Sequence, residues 1–290
     1  ARTPENGRMP NLLQPIPTPG VMLRLRNASH PDLAAAELDM LFPADGDGKA
    51  LETALARIFV QADKAIRGGA TLLVLTDRNM NASRAPIPSL LATSGLHHHL
   101  IRRGLRTQAA IIVESGEPRE VMHFALLLGY GANAICPTTA LSTIRELVES
   151  EMLEKPVSPV EAVERYITAV KKGLLKTFSR MGISTLRSFL GSQIFEAVGL
   201  GRELVGKYFT HTASRIGGVG LDEIAAETVA RHRRGFPIDG RWDGANNMLD
   251  VGGVYQIRVD GERHLSVYER AFGPHPAGWT RAGQAVSSKG

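Results

Sequence analysis

The stretch Thr71-Leu-Leu-Val-Leu75 limits this chain more than any other. It is an unbroken apolar, partly β-branched run, as expected of a parallel strand covered on both faces. Gly68-Gly69, a helix stop, precedes it, and Asp77 stands just beyond it. Ahead of the stop, Leu51, Ala54, Leu55, Ile58, Ala62 and Ile66 recur at helical spacing through Gly48–Arg67. The alternation then repeats. A helix over 89–103 leads to a strand over 108–113, with Glu114 at its end. A helix over 120–128 and a Gly129-Tyr-Gly131 turn lead to a short strand over 134–136. Helices are predicted near 141–154 and 160–181, the second capped by Ser158. Gly182-Ile-Ser-Thr185 reads as the start of another strand, and helices are expected near 193–198, 202–208 and 221–234.

Strand–helix alternation with apolar strands predicts a parallel α/β fold. The strands are short and unevenly spaced, which suits an irregular, incomplete (β/α) barrel-like domain better than a closed ring of eight. Beyond Arg234 the texture changes. Gly252 to Val259, then Asp260-Gly261, then Glu262 to Tyr268 read as a C-terminal β-hairpin across an Asp-Gly turn. The expected organisation is an extended arm and lead-in over 1–47, with five prolines before Gly20. The α/β domain would occupy 48–235, a β-hairpin junction 236–275 and a tail 276–290.

With 43% hydrophobic and 22% charged residues, the chain is globular in composition. Its one cysteine, Cys136, excludes an internal disulfide and any Cys₃ or Cys₄ metal or cluster site built from this chain alone. That fits a reducing, cytoplasmic compartment. No apolar run approaches the ~18 residues of a membrane span, so neither a membrane partner nor a leader is expected. The net charge of +5 is scattered, and its densest run is Arg231-His-Arg-Arg234. Such a run reads as a solvated helix end before it reads as a nucleic-acid site.

Three groups of residues carry possible chemistry. His97-His98-His99 would point about 100° apart on a helix, so they cannot share one ion. The expectation is one buried, hydrogen-bonded ring and two near the surface. Asp77-Arg78 and Glu114-Ser-Gly-Glu117 follow strands, at the rim where α/β folds bind ligands. Carboxylates there could orient a substrate or act as acid and base, and could equally cap helices or pair with Arg78 and Arg119. Gly191-Ser-Gln and Ser214-Arg-Ile-Gly-Gly-Val-Gly220 look phosphate-like, since glycines ahead of a helix expose N–H groups. The lysine and spacing of a P-loop are missing, and a tight turn that lets a helix pack closely explains them as well. No Ser/His/Asp order or nucleophile elbow can be assigned.

Several long stretches resemble the central, connecting domain of the glutamate synthase large (alpha) subunit. They include Pro86-Ile-Pro-Ser-Leu-Leu-Ala92, Leu96-His-His-His-Leu-Ile-Arg102 and His123-Phe-Ala-Leu-Leu-Leu-Gly-Tyr-Gly-Ala132. Lys172-Gly-Leu-Leu-Lys176, Met181-Gly-Ile-Ser-Thr-Leu186, Gln193-Ile-Phe-Glu-Ala197 and Ser214 through Ile224 are clearer still. The match runs over about 48–270 in the family's order.

The resemblance implies a scaffold and ammonia-tunnel segment between a glutaminase domain and an FMN barrel with a 3Fe–4S cluster. Together these would aminate and reduce 2-oxoglutarate to glutamate. It implies no catalytic, cofactor-binding or metal-binding residue in this chain; FMN and 3Fe–4S belong to the complete enzyme. The first residue, Ala1, is not the cysteine that the glutaminase uses. Asp77, Arg78, Glu114, Ser214, Arg215, Gly217, Gly218 and Gly220 become candidates for the domain interface or tunnel wall. Glutaminase and FMN-barrel domains or subunits are the expected partners, and an oligomer is possible. A stand-alone relative binding a small anionic metabolite is the alternative. The chain departs from the family at Cys136-Pro-Thr138, where Asn-Pro-Tyr is common, and at Thr76-Asp-Arg-Asn79, where Ser-Asp-Arg-Gly is usual. His211 stands where glycine is usual.

Overall fold

The computed structural model describes residues 15–28, 30, 33–153 and 156–236, and the backbone of three strands further on. In chain order the elements are α1 (Pro19–Arg26), β1 (Ala35–Asp39), β2 (Leu41–Pro43), α2 (Gly48–Arg67), β3 (Leu72–Thr76), β4 (Arg84–Pro86) and α3 (Ser89–Arg102). Next come β5 (Ala110–Ser115), α4 (Val121–Gly129), β6 (Ala134–Pro137), α5 (Thr138–Glu149), α6 (Pro159–Arg180) and α7 (Leu186–Phe189). Then follow β7 (Glu196–Leu200), α8 (Arg202–Tyr208), β8 (Ala213–Val219) and α9 (Leu221–Gly235). The last strands are β9 (Met248–Val251), β10 (Val254–Val259) and β11 (Glu262–Leu265).

Parallel strands in the order β1-β3-β5-β6 form the central sheet. Spatial order follows sequence order, and successive side chains of a strand face opposite ways. Leu73, Leu75, Ile111, Val113 and Ile135 therefore face the core built with α2, α3 and α4. Leu72, Val74, Ala110, Ile112, Ala134 and Cys136 face the other way, against Met22 of α1. Helices on one side of sequentially ordered strands are the geometry of a barrel wall. Here the wall stays open: α1 packs on the face that would line a barrel's interior, and no closure occurs among the described residues. The fold is thus α/β, barrel-like and incomplete.

Local sequence sets most elements. Asp47 caps α2 by accepting the Ala50 N–H at 2.8 Å, and Ser158 caps α6 by accepting the Glu161 N–H at 3.2 Å. Along α2, Leu51, Leu55, Ile58, Ala62 and Ile66 are buried, each larger side chain stabilising by roughly 1.5–3 kcal/mol. β10 and β11 pair antiparallel across Asp260-Gly261, as the hairpin signal predicts, and β9 adds a third strand. Residues 1–14 of the expected arm and lead-in and the whole tail (276–290) lie outside the described residues.

Four local expectations are corrected. Glu114 lies inside β5 rather than beyond its end. Gly182 to Thr185 forms no strand; Thr185 instead caps the short α7 by accepting the Ser188 N–H. The helix expected near 193–198 is replaced by β7, because Gln193 sits at φ 51° and Gly199 at φ 76°, both outside right-handed helical space. Ser214 to Val219 is a strand, β8, parallel to β7 with α8 as crossover, rather than a phosphate-like turn. The reason for the last correction is steric. At Gly218 a Cβ would stand 2.2 Å from the Gly199 carbonyl oxygen, so the glycines serve strand-to-strand approach. A strand missed at the sequence level, β1, forms one edge of the central sheet.

Candidate functional site

β3 and β5 end side by side, Thr76 opposite Glu114. This register brings together Asp77, Arg78 and Glu114 of the sequence-chosen residues. Glu114 is fully buried and accepts from Thr76 Oγ1 at 3.0 Å and Arg78 Nη1 at 3.3 Å. Arg26 of α1 bonds to it as well and also grips Glu37. The Glu114 carboxylate in turn raises the Arg26 guanidinium above its ordinary pKa. Glu114 therefore fastens α1 to the sheet edge. Such a charge survives burial because its oxygens are paired and hydrogen-bonded.

Asp77 is only 2% exposed. Its Oδ2 accepts from Ser115 Oγ at 2.7 Å and from the Gly116 N–H at 2.9 Å. Burial pushes the carboxyl up to about 6; those two bonds pull it back, and the charges of Glu117 and Glu114 push it further up.

Asp77 opens onto a cleft of about 340 Å³ between the strand ends, the start of α3, the lead into α4 and the last turns of α9. Glu117 ties these walls together by accepting from the Ser89 N–H at 2.7 Å and from Arg231 Nη2 at 3.2 Å. His232 bonds to the Asn81 carbonyl oxygen at 3.0 Å and stacks on Phe236. The basic run of α9 is thus more than a solvated helix end: Arg231, His232 and Arg234 line the cleft. Sequence reading saw both the run and Glu117 but had no means of joining residues 114 positions apart.

Ser214, Arg215, Gly217, Gly218 and Gly220 lie away from this rim, in or just beyond β8. Arg215 is exposed and faces Glu196 at 3.4 Å, whereas Ser214 Oγ is buried with no hydrogen-bond partner among the described residues. Gly220 precedes α9, its N–H taken by Glu223 Oε2 at 2.7 Å. That carboxylate blocks the anion role expected of the glycine run. On the same pair of strands Val198 is 66% and Ile216 61% exposed.

The histidine expectation also changes: two rings are buried, His97 and His98, with His99 half-buried. α3 packs into the core on most sides, burying even Thr93, Ser94 and Gly95, so turning about its axis brings no second ring to water. His97 Nδ1 accepts from Arg106 Nε at 2.9 Å, and His98 Nε2 accepts from Gln193 Nε2 at 2.8 Å. Burial lowers these rings to about 3 and about 4, so both stay neutral acceptors. His99 meets Asp63 at 2.9 Å and stacks on Phe59. The three rings point to three different partners.

The donor set does not fit a 3Fe–4S cluster, since Cys136 is the one cysteine in the sequence and a cluster needs several thiolates. Its thiol is buried and pushed up to about 12, chiefly by that burial, which leaves it a packing residue of the sheet. Among the described residues no three His, Cys, Asp or Glu side chains converge as a metal site, and no helix is long and apolar enough to cross a membrane.

Residues 1–201 match the family described as glutamate synthase central domain. The glutamate synthase [NADPH] large chain of Bacillus subtilis is 44% identical over 259 residues, covering 89% of this chain and 16% of that protein. The glutamate synthase [NADH] of Schizosaccharomyces pombe is 38% identical over 89% of this chain and 12% of its own length. The ferredoxin-dependent glutamate synthase 2 of Synechocystis is 37% identical over 93% of this chain and 18% of its own. The chain spans less than a fifth of each of these relatives. On these matches it belongs to the glutamate synthase central domain family.

Proposed function

We propose that this domain works as the connecting scaffold of a glutamate synthase, holding a glutaminase unit against an FMN barrel with its 3Fe–4S cluster. It would support glutamine-dependent amination of 2-oxoglutarate in the cytoplasm without catalysing a step itself. The observation that carries this reading is the β7–β8 pair. Parallel strands are ordinarily covered on both faces, yet Val198 and Ile216 stand in solvent. In such an enzyme the neighbouring domains would cover them. Ser214, Arg215, Gly217, Gly218 and Gly220 then form the contact or tunnel wall, the small Ser214 and Gly217 admitting close backbone approach and the exposed Arg215 offering charge. Arg78 meets a neighbour at the carboxyl edge, while Asp77 and Glu114 act from inside, Asp77 by holding Ser115 and Gly116 and Glu114 by fixing Arg26 and Arg78.

The α/β unit of 48–235 would be the scaffold and 236–275 the junction toward the barrel. Relatives named for NADPH, NADH and ferredoxin all share this segment, which suits a role independent of the electron donor.

The purified chain should hydrolyse no glutamine, reduce no 2-oxoglutarate and show no flavin absorbance. In a complete enzyme carrying this domain, amide hydrogen exchange over 196–219 should slow markedly relative to the isolated chain. Near-stoichiometric FMN in the isolated chain, or equal exchange in both settings, overturns the scaffold reading.

A further inference from the structure

Helix α6 turns one face to the core and the other to solvent. Val163, Ile167, Val170, Leu174 and Phe178 are buried in the main core. On the far side Val160, Glu164, Thr168 and Lys172 recur every four residues and form one side-chain ridge, with Leu175 beside it. All five are exposed, Val160 by 69% and Leu175 by 64%.

Charge along this ridge runs in one order, acid before Thr168 and base after it. Glu164 lies four residues before Thr168 and Lys172 four after. Among the described residues neither side chain makes an ion pair or a hydrogen bond. At 1.5 Å per residue they stand about 12 Å apart along the axis, too far to meet each other. The helix dipole does not account for them, since its effect fades within the first and last turn and both lie further in. A face built for solvent alone sets opposite charges four residues apart, as Glu161 and Arg165 are on this helix, at 2.6 Å.

Turned end to end about Thr168, the ridge is its own complement. An antiparallel second copy would set Glu164 of each chain level with Lys172 of the other, twice by symmetry. Val160, eight residues before Thr168, would fall near Leu175, seven after it. Thr168 and Ala169 are small, so the helices can come close where they cross.

We propose that the outer face of α6 is a self-association surface, pairing antiparallel with α6 of a second copy of this chain. A closed two-fold pair answers both charges and covers both apolar ends at once. A purely acidic partner would repel Glu164, a purely basic one would repel Lys172, and an apolar one would strand both charges. A single helix pair is a small interface of the transient class, so the dimer is weak and salt-sensitive. None of this depends on the connecting role, because α6 shares no residue with the β7–β8 pair.

Sedimentation velocity of the full chain across a dilution series reads the association. The sedimentation coefficient should rise with concentration toward that of a dimer, and the rise should shrink in high salt. Glu164→Lys sets two lysines level at each contact, and Lys172→Glu sets two glutamates. Both symmetric contacts then change sign, so each variant alone should associate about tenfold or more weakly. An equal mixture of the two variants should recover most of the parent association, because every contact joins opposite charges again. Thermal midpoints of both variants should stay unchanged, since the sites are exposed, which separates lost association from lost folding. A chain that stays monomeric at every concentration overturns the assignment. So does association that both variants keep, as a contact through Val198 and Ile216 would give, or a mixture no stronger than its components.

Discussion

Two pieces of parallel β-structure in this chain obey opposite rules. In the four-stranded sheet every residue of β3 and β5 is buried, with helices on one face and α1 on the other. In the β7–β8 pair most residues of β8 are exposed, the register slips twice, and glycines sit where the strands meet. The backbone pairing is of one kind in both. The first is held by packing, so its side chains are indispensable to the fold. The second is held by its ladder and by close glycine contact, so its side chains are spare for some other surface. An exposed apolar patch on a parallel pair marks a surface meant to be covered.

The largest expected effect breaks the comparison at its strong end. Phe124→Ala, beneath the sheet, should destabilise by about 3–5 kcal/mol. Ile216→Ser, on the outlying pair, should shift stability by no more than about 0.5 kcal/mol. Urea denaturation of both variants checks this, and similar losses would show that the outlying pair also depends on its side chains.

Acid should act next, through the core helix. His97 and His98 have folded pKa values of about 3 and about 4, below the ordinary 6.5. The unfolded chain therefore binds more protons in that interval, and stability falls as pH drops from about 6.5 toward 4. Each ring contributes on the order of 3 kcal/mol to that loss. Asp77 opposes it, because its folded pKa of about 6 lies above the ordinary 3.8. Its contribution is full in acid and disappears as pH rises through 6. Thermal midpoints of the chain should fall on acidification, and those of Asp77→Asn should fall more steeply between 6 and 4. A flat profile, or one reversed in sign, would remove the two neutral histidines from the account of stability.

The smallest effect concerns His211, which holds φ 68° at the position where glycine is usual in the family it resembles. His211→Gly relieves the left-handed strain but loosens the unfolded chain, for a net gain of about 1 kcal/mol or less. A differential scan resolves that, and destabilisation would mean that the ring makes a contact worth more than the strain.

Much of this was legible from residue order. α2, β3 and α9 follow from periodicity and caps, because the information for each lies within a few residues. The β7 strand was not legible: Gln193-Ile-Phe-Glu-Ala197 has helical composition, and only pairing with β8 makes it extended. The candidate site divided in the same way. Asp77 and Glu114 were found because a polar residue ending an apolar strand is a local signal. Arg231 and His232 were seen as charges but not as walls of the cleft, since nothing near them names Glu117 or Asn81.

By itself the sequence determined the βαβ rhythm, the shortage of thiols and the family, since these are properties of spacing and inventory. The tertiary structure alone decided that the sheet stays open under α1, that Glu114 is an internal tie, and that a cleft forms under α9. Those outcomes depend on contacts between distant segments, where side-chain volume and the demand that each buried charge find a partner outweigh local preference.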